Sequence, residues 1–256
     1  MVIVHDILRV AAAIPRSVRR HCILCDRRVG RFLPYRGGSG ESPRLMRALD
    51  VVGSDIDNFE CPRCGGHDRE RHLLMYLQAS GLMAALPTMR VLHFAPERHL
   101  SRRLAASAPM AYTKCDLYPA SPEIERVDIR AMPFADCAFD LVIANHVLEH
   151  VEDDGRALAE IHRVIKPDGA AILQTPYSAM LHRTWSDPGM TADEARRQAY
   201  GQEDHVRLYG RDIFERFSSS GLRACISTHD ALLADRDARM LGVNPREPFF
   251  LFRRDA

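Results

Sequence analysis

The sequence predicts an α/β protein: a doubly wound, mostly parallel sheet with helices on both faces, preceded by a small cysteine-rich module. Three observations predict it. Short apolar runs alternate with helical stretches from about residue 90 onward, the pattern of a sheet built from strand–helix–strand units. Two Cys-x-x-Cys pairs, Cys22–Cys25 and Cys61–Cys64, stand ahead of that pattern. The composition, 46% hydrophobic and 27% charged over 256 residues, is that of a folded chain with one large domain and a small addition. It excludes a disordered chain, a collagen-like repeat and a disulfide-dense miniprotein. No apolar run approaches the ~18 residues needed to span a bilayer.

Taken in order, Val2, Ile3, Val4, Ile7, Leu8, Val10 and Ala11 are interrupted by Asp6 and Arg9, and no basic stretch precedes them. That is the pattern of a short amphipathic helix over 2–13, stopped near Pro15, rather than of a secretory signal. A cytoplasmic location is expected. The expected division is an N-terminal helix at 1–20, a zinc-binding module at 21–68, a connecting helix at 69–88 and the main domain at 89–256. Leu73, Leu74, Leu77, Leu82 and Met83 recur near helical spacing, which supports the connecting helix over 69–80. Beyond it the sequence predicts strands at 89–94, 111–115 and 139–144, another ending near Gln174, and two more at 222–228 and 249–252. Helices are predicted over 97–107, 153–165 and 210–220.

The cysteines suit one structural zinc ion. Two residues between thiolates let both sulfurs of a knuckle reach a tetrahedral ion at about 2.3 Å. Gly65 and Gly66 follow the second pair, where a tight turn can aim backbone amides at sulfur. The 26–60 spacer exceeds the usual zinc-ribbon gap of about 15 to 20 residues. His21, His67 and His72 are possible substitute ligands, but Cys22, Cys25, Cys61 and Cys64 already close a site. Metal binding requires reduced thiols, in keeping with the expected compartment.

Ligands of doubly wound sheets bind beyond the carboxyl ends of the strands, so the chemistry should lie there. The first main-domain strand ends in Phe94-Ala95-Pro96-Glu97, the second in Asp116, and a later one in Asn145-His146. Asp128-Ile129 lies between the latter two. An acid at the end of a second strand can accept hydrogen bonds from a ribose diol. A second acid further on can accept from an exocyclic adenine amine.

Residues 128–176 carry Asp-Ile-x-x-Met-Pro-Phe, then Phe139 to His150 ending in Val-Leu-Glu-His, then Arg-Val-Ile-Lys-Pro-Asp-Gly at 163–169 and a final Thr-Pro. In combination these resemble class I S-adenosylmethionine-dependent methyltransferases, and the strand pattern is similar over roughly 90–253. The whole chain resembles a bacterial subgroup in which a four-cysteine module precedes that domain. Its marks here are Cys61-Pro-x-Cys-Gly, Arg71-His72, Val91 to Glu97, and Gly201-Gln-Glu-Asp-His205-Val-Arg207-x-Tyr209-Gly. The resemblance implies a seven-stranded, Rossmann-like sheet and S-adenosylmethionine as cofactor, held by Phe94, Ala95, Pro96, Glu97, Asp116, Asp128, Ile129, Asn145 and His146.

One departure stands out. The family's first strand normally ends in an acid followed by glycines, and here His93 and Ala95-Pro96-Glu97 replace them. Fewer glycines leave less room for backbone to approach the cofactor. Glu97 is then the expected anionic partner of the cofactor's ammonium group.

Methyl transfer from a sulfonium needs alignment of the acceptor and, for a hydroxyl, removal of a proton. His205 and His146 are the candidate bases, while His150 is expected to pack structurally. The polar segment 202–207 reads as a loop over the site, and Trp185 belongs to an insertion expected to cover the acceptor pocket. The leading expectation is O- or N-methylation of a small molecule or sugar, with zinc purely structural. Two alternatives remain: an RNA methyltransferase whose cysteine module grips nucleic acid, and a non-catalytic scaffold with a degenerate cofactor site. Residues 1–72 hold 13 arginines against 9 acids, but no aromatic stacking series accompanies them. The total charge of +1 weighs against broad nucleic-acid binding.

Overall fold

The computed structural model describes Arg9 and residues 20–256. The expected N-terminal helix at 2–13 lies outside the described residues apart from Arg9. The chain first forms an antiparallel ribbon of β1 (Arg20–Cys22) and β2 (Arg27–Val29), followed by α1 (Arg44–Ala48), α2 (Asp68–Ala79) and α3 (Leu82–Ala85). The main domain then runs β3 (Arg90–Phe94), α4 (Arg98–Ala106), β4 (Ala111–Asp116), β5 (Glu125–Arg126), β6 (Phe139–Ala144), α5 (Asp154–Val164) and β7 (Ile165–Ile172). It closes with α6 (Asp193–Tyr200), α7 (Ile213–Ser218), β8 (Leu222–Ala224), α8 (His229–Leu233), α9 (Ala238–Leu241) and β9 (Leu251–Arg254).

Seven strands form one sheet in the order β5-β4-β3-β6-β7-β9-β8. The β3, β4, β5, β6 and β7 pairings are parallel, whereas β9 runs antiparallel to both β7 and β8. From β3 the chain crosses first toward β4 and β5, then returns to add β6 on the other side. That reversal opens a crevice between the carboxyl ends of β3 and β6, where doubly wound folds take their ligands. Three strands differ from expectation. β8 stops at Ala224, short of the expected 228. β5 has two residues, too few for any periodicity to register, and β9 begins two residues later than the apolar run at Phe249.

Alternation along the strands sends neighbouring side chains to opposite faces. Val91, Leu141, Ile143 and Ile172 join one core with α2, α4 and residues of the cysteine ribbon, including Leu24, Val29 and Phe32. Leu92, Phe94, Val142, Ala144 and Leu173 join the other with α5 and α7. The apolar side of the cysteine module is therefore continuous with the core of the sheet. Arg71 ties the two together from within. Fully buried, its guanidinium donates to the carbonyls of Asn58, Gly66, Leu241 and Gly242 and lies over the Phe32 ring at 3.9 Å.

Candidate functional site

The four cysteines converge. Cys22 and Cys25 flank the turn of the β1–β2 ribbon, and Cys61 and Cys64 form a second knuckle closed by Gly65 N to Cys61 O at 2.8 Å. Gly65 adopts φ 78°, a conformation that suits glycine, and Gly66 N–H donates to Cys64 Sγ at 3.4 Å. All four sulfurs lie within 4.8 Å of one another, and Cys22 and Cys64 are 3.8 Å apart. A tetrahedral ion with ~2.3 Å bonds requires edges of about 3.8 Å, so the donor set fits zinc. Hydrogen bonds with Cys22 and Cys64 hold the Cys61 thiolate far below the usual thiol range, to about 2. The histidines considered as substitutes are engaged elsewhere: His21 with Asp26, His67 stacked on Phe59, His72 with His229.

At the β3–β6 crevice two of the predicted cofactor residues meet. Glu97 follows β3 and Asn145 follows β6, and Asn145 Nδ2 donates to Glu97 Oε1 at 2.5 Å. His93 Nε2 stands 3.3 Å from Glu97 Oε2, while its Nδ1 pairs with the Tyr112 hydroxyl at 2.7 Å. Burial pushes the Glu97 carboxyl up, but His93 outweighs it, and the acid titrates below its ordinary value. Asn145 Oδ1 is buried without a hydrogen-bond partner, and Glu97 Oε2 has no donor nearer than His93 Nε2 at 3.3 Å. Buried acceptors this poorly supplied call for a donor, and an ammonium group is one. The residues present thus fit the amino end of the expected cofactor.

The loop between them is tight. Ala95 adopts φ 45° and donates its N–H to Cys115 O at 2.8 Å, so an alanine fills a left-handed position that glycine would take without strain. Phe94 is buried beneath it and Pro96 leads into Glu97, the residue before α4. Asp116 ends β4 half-buried, with Oδ1 accepting from Tyr118 N at 2.8 Å. Asp128 is held differently: Arg130 reaches both its oxygens, at 3.1 and 2.8 Å, and keeps its carboxyl below the ordinary range. Any adenine contact must use the lone pairs that Arg130 leaves. Ile129 is buried next to it.

The two candidate bases share one cavity of about 630 Å³. Its walls come from the cysteine module (Tyr35, Ile56, Phe59), from the start of α2 (Arg69) and from the late segment Tyr200, Gly201, Gln202 and His205, with His146 on the β6 side. The cavity gives the two histidines opposite states. His146, with φ 54°, lies between Glu149 (Nδ1 to Oε1, 3.2 Å) and Glu247 (Nε2 to Oε1, 3.5 Å). Burial alone would lower its pKa, but the two carboxylates lift it to about 9. Burial likewise raises Glu247, yet His146 and His72 hold it at about 2. His146 is an imidazolium near neutral pH. His205 is buried too, but its Nδ1 pairs with Tyr200 O at 2.9 Å and its Nε2 has no partner. Burial keeps it below the ordinary imidazole value, so it is neutral with a bare lone pair.

The segment read as a loop over the site is better anchored than a solvated loop. Arg207 and Tyr209 are buried, Arg207 donates to Val151 O and Glu152 O, and the Tyr209 hydroxyl donates to Asp154. Trp185 packs edge-on against Tyr200 at 5.3 Å and is absent from the cavity wall. His150 stands edge-on to His205 and pairs with Asp204. Sequence reasoning missed Arg69, Glu149 and Glu247. The three-residue spacing of His146 and Glu149 was readable, but Glu247 comes from a loop about a hundred residues away.

Residues 98–173 match the family described as a methyltransferase domain. The chain is 41% identical over 61 residues to a malonyl-[acyl-carrier protein] O-methyltransferase of Pseudescherichia vulneris, covering 23% of this chain and 24% of that protein. It is 24% identical over 207 residues to an uncharacterized methyltransferase of Mycolicibacterium gilvum, covering 76% of this chain and 66% of that one. It thus spans about a quarter of the length of the first of these relatives. A solved S-adenosylmethionine-dependent methyltransferase from Mesorhizobium loti superposes with a TM-score of 0.47 at 16% identity, over 70% of this chain and 97% of that one.

Proposed function

We infer that this chain, which carries a class I S-adenosylmethionine-dependent methyltransferase domain, transfers a methyl group to oxygen or nitrogen of a small-molecule or sugar acceptor. The observation that carries the reading is the pair of poorly supplied buried acceptors at the switch point of the sheet, Asn145 Oδ1 with no hydrogen-bond partner and Glu97 Oε2 with only His93 Nε2 at 3.3 Å. Bound there, S-adenosylmethionine supplies an already activated methyl group. Glu97 and Asn145 take its ammonium, Asp116 its ribose diol, and Asp128 with Ile129 its adenine edge. Cys22, Cys25, Cys61 and Cys64 hold a zinc ion whose part is structural.

The acceptor sits in the cavity between the cysteine module and residues 197–205. At about 630 Å³ it suits a small ligand rather than a nucleic-acid chain. His205 is the general base for a hydroxyl acceptor, because its Nε2 is bare and its imidazole neutral. His146 cannot serve as proton acceptor near neutral pH. It contributes instead a fixed positive charge on the cavity wall. The division at 20, 68 and 88 and a cytoplasmic location belong to the same proposal; among the described residues no helix is long and apolar enough to cross a membrane.

The test is calorimetric titration with S-adenosylmethionine, followed by a mass-resolved methyl-transfer screen over metabolites, glycans and RNA. Asp116→Ala should weaken cofactor binding by about 1.5 to 3 kcal/mol, the range for a hydrogen bond to a charged group, without unfolding the protein. A parent protein that binds no cofactor would overturn the reading.

A further inference from the structure

One cation of the cavity wall has no ion pair and no side-chain hydrogen bond among the described residues. Arg36 is paired in two-pronged fashion with Glu203 at 2.6 Å, and Arg197 likewise with Glu194 at 2.8 Å. Arg47 stands exposed at the mouth, and its Nη1 donates to the carbonyls of Ser39, Gly40 and Ser42. His146 has Glu149 and Glu247. Of the acids on the wall, Asp50 is held by Arg246, and Glu41 is exposed at the rim. Arg69 is different. It lies in the first turn of α2 beside the Phe59 ring, it has neither an ion pair nor a hydrogen bond among the described residues, and its Nε is buried without a partner.

Arg69 is half-buried, and a guanidinium N–H buried without a partner costs free energy unless something replaces its lost hydration. The planar fork of arginine is shaped for carboxylate or phosphate oxygens, which it takes two at a time. Arg69 and the imidazolium of His146 line the same cavity and repel each other, which adds to the demand for negative charge between them. Resting on the methyl-transfer reading, we propose that Arg69 is the receptor for an anionic group of the acceptor, a carboxylate or a phosphate monoester, and that the acceptor is therefore a small acid. Arg69 lies close enough to Glu97 to lower the titration of its carboxyl, but the acceptor rather than the cofactor is assigned to it because it lines the cavity of Tyr200, Gln202 and His205, whose wall does not include Glu97 or Asp116. Held there, an acid would present the rest of its skeleton toward the bare Nε2 of His205.

The experiment uses the full zinc-loaded chain saturated with S-adenosylhomocysteine and titrates it with malonate and with inorganic phosphate. At least one probe should bind with one-to-one stoichiometry. Arg69→Gln should weaken it about tenfold or more, as expected for loss of a charge-assisted hydrogen bond, and Arg69→Lys should weaken it less. Arg223→Gln, which breaks an exposed pair with Asp255 away from the cavity, should leave probe binding unchanged, and thermal melting confirms that each variant is folded. Binding of neither probe, or equal binding by the parent and Arg69→Gln, would overturn the proposal. So would an Arg69→Gln protein that binds S-adenosylhomocysteine weakly but 5′-methylthioadenosine normally, since the anion would then be the cofactor's own carboxylate. The parent's titration with S-adenosylhomocysteine tests the methyl-transfer reading separately.

Discussion

His146 and His205 show how one cavity can set two imidazoles to opposite states. Both are buried, and burial lowers the pKa of each, but only His146 has two carboxylates at ion-pair distance, 3.2 and 3.5 Å. This leads to a pH dependence of stability. A group whose pKa rises on folding stabilises the fold fully below its unfolded value, about 6.5, and loses that contribution as pH climbs through the folded value, about 9. Glu247, depressed to about 2, contributes above its unfolded value near 4.5 and loses that contribution as acid drives the pH toward 2. The melting temperature should therefore decline between about pH 6.5 and 9, and His146→Gln should flatten that limb. A melting profile of the variant that tracks the parent across this window would contradict the assignment. Glu97 supports a second prediction at the same scale. Glu97→Gln keeps the shape but removes the charge, so S-adenosylmethionine affinity should fall by more than about fivefold, beyond what an exposed ion pair supplies. An analogue lacking the amino group should bind parent and variant alike; calorimetry with both ligands checks it.

Among the elements, α2 does more than its leucines suggest. Its first turns bury Asp68, Glu70, Arg71 and His72, and each has a distant partner. Glu70 accepts from the backbone amides of His99 and Leu100 at 2.9 Å, capping the start of α4 directly after the Glu97 loop. The His72 ring meets His229 at 2.9 Å, and the Tyr76 hydroxyl donates to Glu247 O at 2.7 Å. Helix α2 thereby links the cysteine module, the cofactor loop and the C-terminal loop that supplies Glu247. Arg71 is its most exacting member. Arg71→Lys keeps the charge but loses the planar fork that reaches carbonyls on both sides, and should cost about 3 kcal/mol or more, as for a broken buried charge network. Urea denaturation of the zinc-loaded protein measures it, and a loss well below about 1 kcal/mol would show the guanidinium to be replaceable.

At the scale of the whole molecule, the cysteine cluster is joined to the helix that follows the Glu97 loop, the proposed cofactor site. The Cys64 carbonyl pairs with the His99 ring at 2.8 Å, and His99 is the second residue of α4, two past Glu97. Withdrawing zinc should release both knuckles, because metal binding and folding of such sites are coupled. Purified protein should contain about one zinc per chain, and chelation should lower both the melting temperature and S-adenosylmethionine affinity. Cys61→Ser should reproduce both effects. Metal analysis that finds no zinc in protein purified without chelator would remove the premise, and unchanged cofactor affinity after zinc loss would show the two sites to be independent.

The sequence by itself determined the sheet and the cysteine pairs. Short, nearly continuous apolar runs at Arg90–Phe94 and Phe139–Ala144, and the short spacing within each Cys-x-x-Cys pair, are local patterns that do not need the rest of the chain to be read. It also located Glu97 and Asn145, because strand ends follow from strands. Only the tertiary structure decided that these two touch, that β9 turns antiparallel and that His146 is charged while His205 is not. It also showed that Arg69, on the cavity wall, has no ion pair among the described residues. The reason is physical. Protonation and pairing depend on which charges and how much water surround a group, and for His146 the deciding partner, Glu247, lies about a hundred residues away in the chain and 3.5 Å away in space.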